Sequence, residues 1–343
     1  MTARITLKDV ASEAGVHVST ASRALNPATQ SVINDKTVER VLAAAEKLGY
    51  RPHPLARGLR TNQTMSVGVV IPDVENPLFG PIIAGAEAVL MDEGYSMLIG
   101  NADRGEDHAT AVIDDMVDRH VDGLILATAL RQDPSIEKMI AREVPIVLVN
   151  RTAEGLSVPS ILGDDHAGIG LAVQHLASLG HVELGHVAGP SSFSTGLARS
   201  QAFRAWTQTL GLDRASQRIE EADRFQVEPG YEACTRLLRH YPEITAIVAA
   251  NDLLALGCYR SIRDAGLRVG DDVSVTGYND MPLLDLMQPP MTAVRVSYRQ
   301  MGREAAAALL GMIGGVSDAP SGVSIRLAPT LAVRSSSLPP PAR

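Results

Sequence analysis

The chain is poor in the features that mark several protein classes. It holds two cysteines in 343 residues, Cys234 and Cys258, without metal-ligand spacing. So little cysteine excludes a disulfide framework and fits a reducing compartment. No apolar run reaches the roughly 18 residues of a membrane span, and none follows the first Met as a secretory signal would. The expected location is therefore the cytoplasm, on the nucleoid. No phosphate loop appears, and Asp164, Asp165 and His166 cluster without forming a nucleophile–base–orienter set. Gly168-Ile169-Gly170 lacks the third glycine of a dinucleotide fingerprint and does not sit at a first βα turn. The expectation is a chain that is not an enzyme and needs neither cofactor nor metal.

What is present begins in the first sixty residues. Leu7, Val10, Ala11 and Ala14 have the spacing of one apolar helix face. Thr6 with Asp9 makes a capping-box start, and Gly15 suits the left-handed turn that ends the helix. A second helix is expected from Val18 to Leu25, stopped by Asn26-Pro27. A third starts at the N-cap Asn34, carries Val38, Val41, Leu42, Ala45 and Leu48 as its stripe, and closes at Gly49. Two short helices across a glycine turn are the helix-turn-helix arrangement that lays its second helix in the DNA major groove.

On that second helix Ala21 and Leu25 face inward, with Ala24 close by. Val18, Ser19, Ser22 and Arg23 face outward. Arg23 either forks onto guanine or holds a phosphate. His17 is either near phosphate or a solvated turn residue. Residues 1–61 carry nine Lys and Arg against five Asp and Glu, a net +4 in a chain of net −8, which leaves −12 on the rest. A basic head on an acidic body turns the head toward nucleic acid. Residues 51–61 are hinge-like: Pro52 and Pro54 open a short Leu55–Arg60 segment too weak to stand alone as a helix. Leu59 there either wedges into the minor groove or packs on the body.

From Met65 onward, apolar strands alternate with helices. SVGVVIP, YSMLIGN, DGLILAT and PIVLVN read as buried strands with helices near 78–93, 106–119 and 134–142. LGHVAGP, QRIEEADR, AIVAAND and DVSVTGY form a second series, with helices near 165–179, 196–210, 230–239, 252–265 and 298–313. Two βαβ series predict an α/β body of two lobes with doubly wound parallel sheets and a ligand cleft between them. The expected domains are a helix-turn-helix head at 1–50, a hinge at 51–61 and a body at 62–343. Within the body, lobe 1 takes about 65–160 and 292–324, and lobe 2 about 163–290 and 325–335.

T-L-K-D-V-A, A-G-V, S-T-A-S-R-A-L-N, L-G-Y-R-P and A-R-G-L resemble the head and hinge of the lactose/galactose-repressor (LacI/GalR) family, and the resemblance runs on to the final L-A-V-R-S. It implies a transcriptional regulator, a repressor first, that reads a pseudo-palindromic operator in double-stranded DNA as a dimer. Val18, Ser19 and Arg23 become base readers and Leu59 the wedge, with Thr6, His17, Thr20, Ser22, Asn26 and Arg57 as further DNA contacts. His17 departs from the family's capping Ser, and Ala21 from its usual Val. The body resembles periplasmic-type sugar receptors.

By that resemblance the effector-binding residues are Asn76, Leu78, Phe79, Asn150, Phe193, Thr195, Arg199, Phe225, Asn251 and Asn279. Phe193 and Phe225 are two of only four Phe, and spacing alone would make them core residues. Asn279 stands where the family usually has Asp. Besides a neutral sugar, that leaves a sugar derivative, a phosphorylated or acidic ligand and a nucleoside open. The tail SSSLPPPAR carries no leucine heptads, so a homodimer is expected rather than a tetramer. The rival classes are a solute-binding transport receptor, an enzyme on a nucleotide-binding body, and a transcriptional activator. Secretion to the envelope, turnover of a cleft ligand, and operator position relative to the promoter would reveal each in turn.

Overall fold

The computed structural model describes residues 5–50, 63–103, 105–315 and 322–341. Arg57, Leu59 and the hinge at 51–61 lie outside these. The chain divides into two compact units, residues 1–65 and 66–343.

The first unit is helical. Its helices are α1 (Leu7–Glu13), α2 (Val18–Ala24), α3 (Pro27–Gln30) and α4 (Asp35–Leu48). Asn26-Pro27 ends α2 as expected, but the chain then makes one short further turn before α4. Three terminal devices fix the layout. The Thr6 backbone N–H donates to Asp9 Oδ2 at 2.7 Å, and the Thr6 hydroxyl donates to the same oxygen. Those bonds hold the Asp9 carboxyl below its ordinary pKa, the side-chain bond having the larger effect. Asn34 Oδ1 accepts the Lys36 N–H at 3.0 Å, and Gly49 closes α4 at φ 63°. The core joins Val10, Ala11, Ala14, Ala21, Ala24, Val38, Val41, Ala44 and Ala45. Leu42 is not among them. It is 46% exposed, because Ala44 and Ala45 take the inward side of α4.

The second unit has two sheets. The first runs β11-β5-β4-β3-β1-β2, all parallel. Its strands are β1 (Ser66–Ile71), β2 (Ser96–Asn101), β3 (Gly123–Leu126), β4 (Ile146–Val149), β5 (Ser160–Gly163) and β11 (Ser324–Leu327). The second runs β12-β10-β9-β8-β6-β7. Its strands are β6 (Leu184–Ala188), β7 (Ile219–Glu221), β8 (Ala246–Ala249), β9 (Ser274–Asn279), β10 (Thr292–Arg295) and β12 (Thr330–Ala332). Among the described residues only the edge strand β12 is antiparallel.

Helices α5 (Phe79–Asp92), α6 (Glu106–Asp118), α7 (Pro134–Ala141) and α12 (Tyr298–Ile313) belong to lobe 1. Helices α8 (Asp165–Ser178), α9 (Ser194–Thr209), α10 (Val227–His240) and α11 (Asp252–Asp264) belong to lobe 2. In α5 and α12 the glycines let backbones meet: a Cβ on Gly302 would run into the Ile82 carbonyl, and one on Gly85 into that of Arg299. Gly168 and Gly170 serve packing in the same way, leaving room for the Tyr278 and Trp206 rings against α8.

The lobe boundaries differ from the sequence expectation at each crossing. Thr292–Arg295 pairs with β9 and so belongs to lobe 2, not lobe 1. Ser160–Gly163 and Ser324–Leu327 pair with each other in lobe 1, so the crossings follow residues 163 and 327 rather than 160 and 324. The cause is local. Each crossing segment completes a short strand in the sheet it is leaving, satisfying its backbone before it crosses.

Candidate functional site

In the first unit the residues of interest lie on α2 and its start. His17 is its N-cap: the ring Nδ1 accepts the Ser19 N–H at 3.3 Å and lies 2.8 Å from Ser19 Oγ. An accepting Nδ1 puts the ring proton on Nε2, which leaves that N–H as an outward donor. An imidazole thus does the work of the usual Ser or Asn cap. Ser19 and Arg23 are exposed, and Thr20, Ser22 and Asn26 are partly so. The Arg23 guanidinium makes no ion pair among the described residues. Val18 departs from expectation: it is half-buried and packs on the head core, because it opens α2 beside Ala21. Thr6 is exposed, with its hydroxyl engaged by Asp9.

In the second unit a cleft of about 1020 Å³ separates the lobes. All ten residues expected around an effector line it: Asn76, Leu78, Phe79 and Asn150 from lobe 1, and Phe193, Thr195, Arg199, Phe225, Asn251 and Asn279 from lobe 2. The fold explains the convergence. Asn279 ends β9, Asn150 follows β4 and Asn251 follows β8, and parallel strands of both sheets point their C-terminal ends at the gap. Asn150 and Asn279 hold positive φ of 64° and 122°, a conformation asparagine tolerates better than most residues. Phe193 and Phe225 are cleft residues, not core. Their rings stack 6.2 Å apart, and Phe225 lies so close over Gly189 that a Cβ there would strike it.

Arg199 is 4% exposed and committed to the protein. Its Nε donates to Asp165 Oδ1 at 2.8 Å and its Nη1 to the Ala250 carbonyl at 2.7 Å, while its guanidinium carbon sits 3.7 Å over the Tyr278 ring. Burial works against its charge. The Asp165 carboxylate, joined by the Tyr278 and Tyr298 hydroxyls, outweighs that and keeps the guanidinium protonated more firmly than usual. Tyr298 donates to Asn279 Oδ1 at 2.6 Å. Asp252, wholly buried, accepts the Met281 N–H at 2.8 Å through Oδ2, while its Oδ1 has no partner. Burial pushes its carboxyl up to about 8, so it is mostly protonated at neutral pH.

Sequence reasoning missed several residues of the cleft. Asn101 was within reach, as the last residue of its strand. Asp133 lines the wall, with both carboxylate oxygens taken by Leu130, Ser135 and Ile136. Arg151, next to Asn150, resembles a surface arginine in sequence but is 7% exposed, with its guanidinium 3.7 Å over the Phe193 ring of the other lobe. Further contacts cross the gap, among them the Arg131 backbone N–H to the Ser192 carbonyl at 3.2 Å. Arg131 forks onto Glu154 at 2.6 and 3.1 Å and donates to the Ser191 carbonyl at 3.1 Å. The Thr152 N–H reaches Ser194 Oγ at 3.0 Å. Among the described residues no cluster of His, Cys, Asp and Glu fits a metal ion, and no helix is long and apolar enough to cross a membrane.

Residues 6–53 match the bacterial regulatory proteins of the lacI family, and residues 173–337 match the periplasmic binding protein-like domain. The HTH-type transcriptional regulator reg1 of Streptomyces lividans is 35% identical over 344 residues, covering 98% of this chain and 97% of that protein. The chain belongs to the LacI family. It is a DNA-binding transcriptional regulator, with a helix-turn-helix head and a periplasmic-binding-protein-like body. The ribose operon repressor of Bacillus subtilis (strain 168) is 32% identical over 308 residues, covering 90% of this chain and 91% of that one. Among solved structures, the Lac repressor dimer bound to operator and the anti-inducer ONPF matches with a TM-score of 0.85 at 29% identity, over 98% of this chain and 100% of that one. The transcriptional regulator CelR in complex with cellobiose matches with a TM-score of 0.74 at 30% identity, over 97% and 100%. As LacI-family relatives these are regulators, not enzymes.

Proposed function

We propose that this LacI-family chain is a homodimeric repressor acting in the cytoplasm. In this reading a small polyhydroxylated effector in the cleft sets its operator affinity, and the body senses rather than catalyses. One observation carries it: ten residues scattered from Asn76 to Asn279 line a single cleft whose walls come from two lobes. Such a gap binds a ligand by closing on it, and closure is a change a regulator can transmit. The printed names of relatives, a ribose operon repressor and a cellobiose complex, support carbohydrate-like chemistry. The dimeric Lac repressor on its operator supports a dimer on a two-fold DNA site. In the head, Ser19 and Arg23 are the side chains we assign to base edges, with Thr20 and Ser22 beside them. Val18 contributes from its exposed part. Thr6, His17, Asn26 and Arg57 are assigned to phosphate, and Leu59 to the minor-groove wedge.

The test is operator selection from random duplexes, followed by titration of the winner with and without cleft ligands found by thermal shift. A two-fold site and a ligand-dependent change of about 5- to 150-fold in affinity are expected. Selection of no sequence, or affinity indifferent to every ligand that stabilises the body, would sink the reading.

A further inference from the structure

The cleft contains a buried positive charge for which the protein supplies no counter-charge. Arg151 lines the floor and is more than nine-tenths buried. It forms no ion pair among the described residues, and its Nε has no hydrogen-bond partner. Its guanidinium lies against the face of Phe193. Burial pushes its pKa down to about 9, and neighbouring Arg199 adds repulsion. Buried charges in proteins are normally paired.

The nearby acids do not serve it. Asp165 is taken by Arg199, Asp252 is held mostly neutral, and both oxygens of Asp133 are occupied. Asp73 lines the cleft half-buried, with its Oδ1 accepting the Glu75 N–H at 2.9 Å; Glu75, Asp103, Glu106, Asp107 and Asp223 also line it but are exposed, where water and salt screen them.

The asparagines point the same way. The amide oxygens of Asn76, Asn101 and Asn251 accept backbone N–H groups of Leu78, Val74 and Leu254 at 3.1, 3.0 and 2.9 Å. The oxygen of Asn279 accepts from Tyr298. With four oxygens engaged, these side chains turn their NH₂ donors to a ligand. A cleft of uncommitted donors around an unpaired guanidinium suits a ligand rich in acceptors and negatively charged.

We propose that the effector carries a carboxylate or phosphate group, and that this oxyanion is the missing partner of Arg151, with the ligand's hydroxyl oxygens accepting from the asparagine amides. This rests on the reading of the cleft as an effector site and narrows it to one ligand class. A guanidinium fork matches both anions, so the two sources are separated by experiment.

The probes are D-glucose, D-glucuronate and D-glucose 6-phosphate, with D-ribose and D-ribose 5-phosphate as a second set, titrated calorimetrically into the full chain. At least one acid or phosphate is expected to bind about tenfold or more tighter than its neutral parent, the ratio expected if a charged contact is gained. Arg151→Gln should shrink that ratio toward one, and Arg151→Lys should keep part of it. Preference for glucuronate names the carboxylate, and preference for a sugar phosphate names the phosphate. Neutral parents binding as well as their anions, an anion preference that survives Arg151→Gln, or no anion binding at all would each overturn the proposal. The wild-type comparison does not depend on any variant folding. Operator binding, assayed on the same wild-type protein, scores the regulator reading separately.

Discussion

Replacing Arg199 with Met tests whether this side chain is a structural pin before it is a ligand contact. The substitution removes the partner of Asp165, whose side chain is 13% exposed, and the donor to the Ala250 carbonyl. Breaking a buried ion pair from one side costs about 3–5 kcal/mol, because the other charge is stranded. Water reaches Asp165 slightly, which places the expectation near about 3 kcal/mol. At about 2–4 °C per kcal/mol for a body of this size, the melting temperature should fall by roughly 6–12 °C. Asp165→Leu in the same background removes the stranded charge, so the double variant should be more stable than Arg199→Met alone. Circular dichroism melts of the wild type, both single variants and the double variant complete the cycle. A drop below about 2 °C in Arg199→Met, against the shift per kcal/mol above, or strictly additive losses, would show that the pair is not coupled. The same reasoning limits simpler experiments: loss of effector response in an Arg199 variant does not by itself prove contact with the effector.

Other positions give sharper readouts. Arg23→Ala should cost about 1–3 kcal/mol at one operator position and relax choice there; equal losses on all sequences would make Arg23 a phosphate contact. Asp252 has a raised folded-state pKa of about 8, so the stability it lends is complete below about pH 4 and is lost as pH rises through 8. Asp252→Asn should therefore flatten the pH dependence of unfolding between about 4 and 8 by up to about 1.4 kcal/mol per pH unit; parallel profiles would contradict this. Gly302→Ala should force α5 and α12 apart at the Ile82 carbonyl and cost about 1–3 kcal/mol in urea unfolding; an unchanged midpoint would mean the helices yield freely. His17→Ala should lose a helix cap worth about 1 kcal/mol, read as lower stability of the head, whereas His17→Asn should restore it.

Legibility in the sequence tracked how far each signal repeats. The long helices carry three or more turns of periodic burial, and those expected at 106–119, 134–142 and 298–313 end within a residue of α6, α7 and α12. Four strands escaped notice, at 160–163, 292–295, 324–327 and 330–332. Three or four residues show no periodicity, and only their partners in the folded sheet make them strands. The cleft residues were placed by likeness to a family. Phe193 and Phe225 show why that was needed, since an isolated aromatic reads as core until the strand ends converge around it. Arg151 and Asp252 were not legible, because a sequence shows charge but not burial. His17 was legible as an anomaly but not as a cap, because its Nδ1 accepts only in the tautomer that carries the proton on Nε2.

The contacts across the gap constrain what an effector must do. Arg131 and Thr152 reach Ser191 and Ser194 from lobe 1, and Arg151 lies on Phe193, so three lobe 1 residues grip one stretch at the start of α9. Each contact exists only when the lobes are together. Without ligand they are opposed by the unpaired charge of Arg151, which an open, hydrated cleft would relieve. A ligand that touched one lobe alone would bind both arrangements equally and shift nothing. One that joined Arg151 and Asn76 on one wall to Phe225 and Asn251 on the other would add contacts found only in the closed state. It would also remove the charge that resists closure. The coupling between effector and lobe closure therefore resides in the same guanidinium that selects the ligand, and Arg151→Gln should weaken ligand selectivity and ligand-driven closure together. Small-angle scattering of the variant with and without glucuronate would show this, and closure as large as in wild type would separate the two roles.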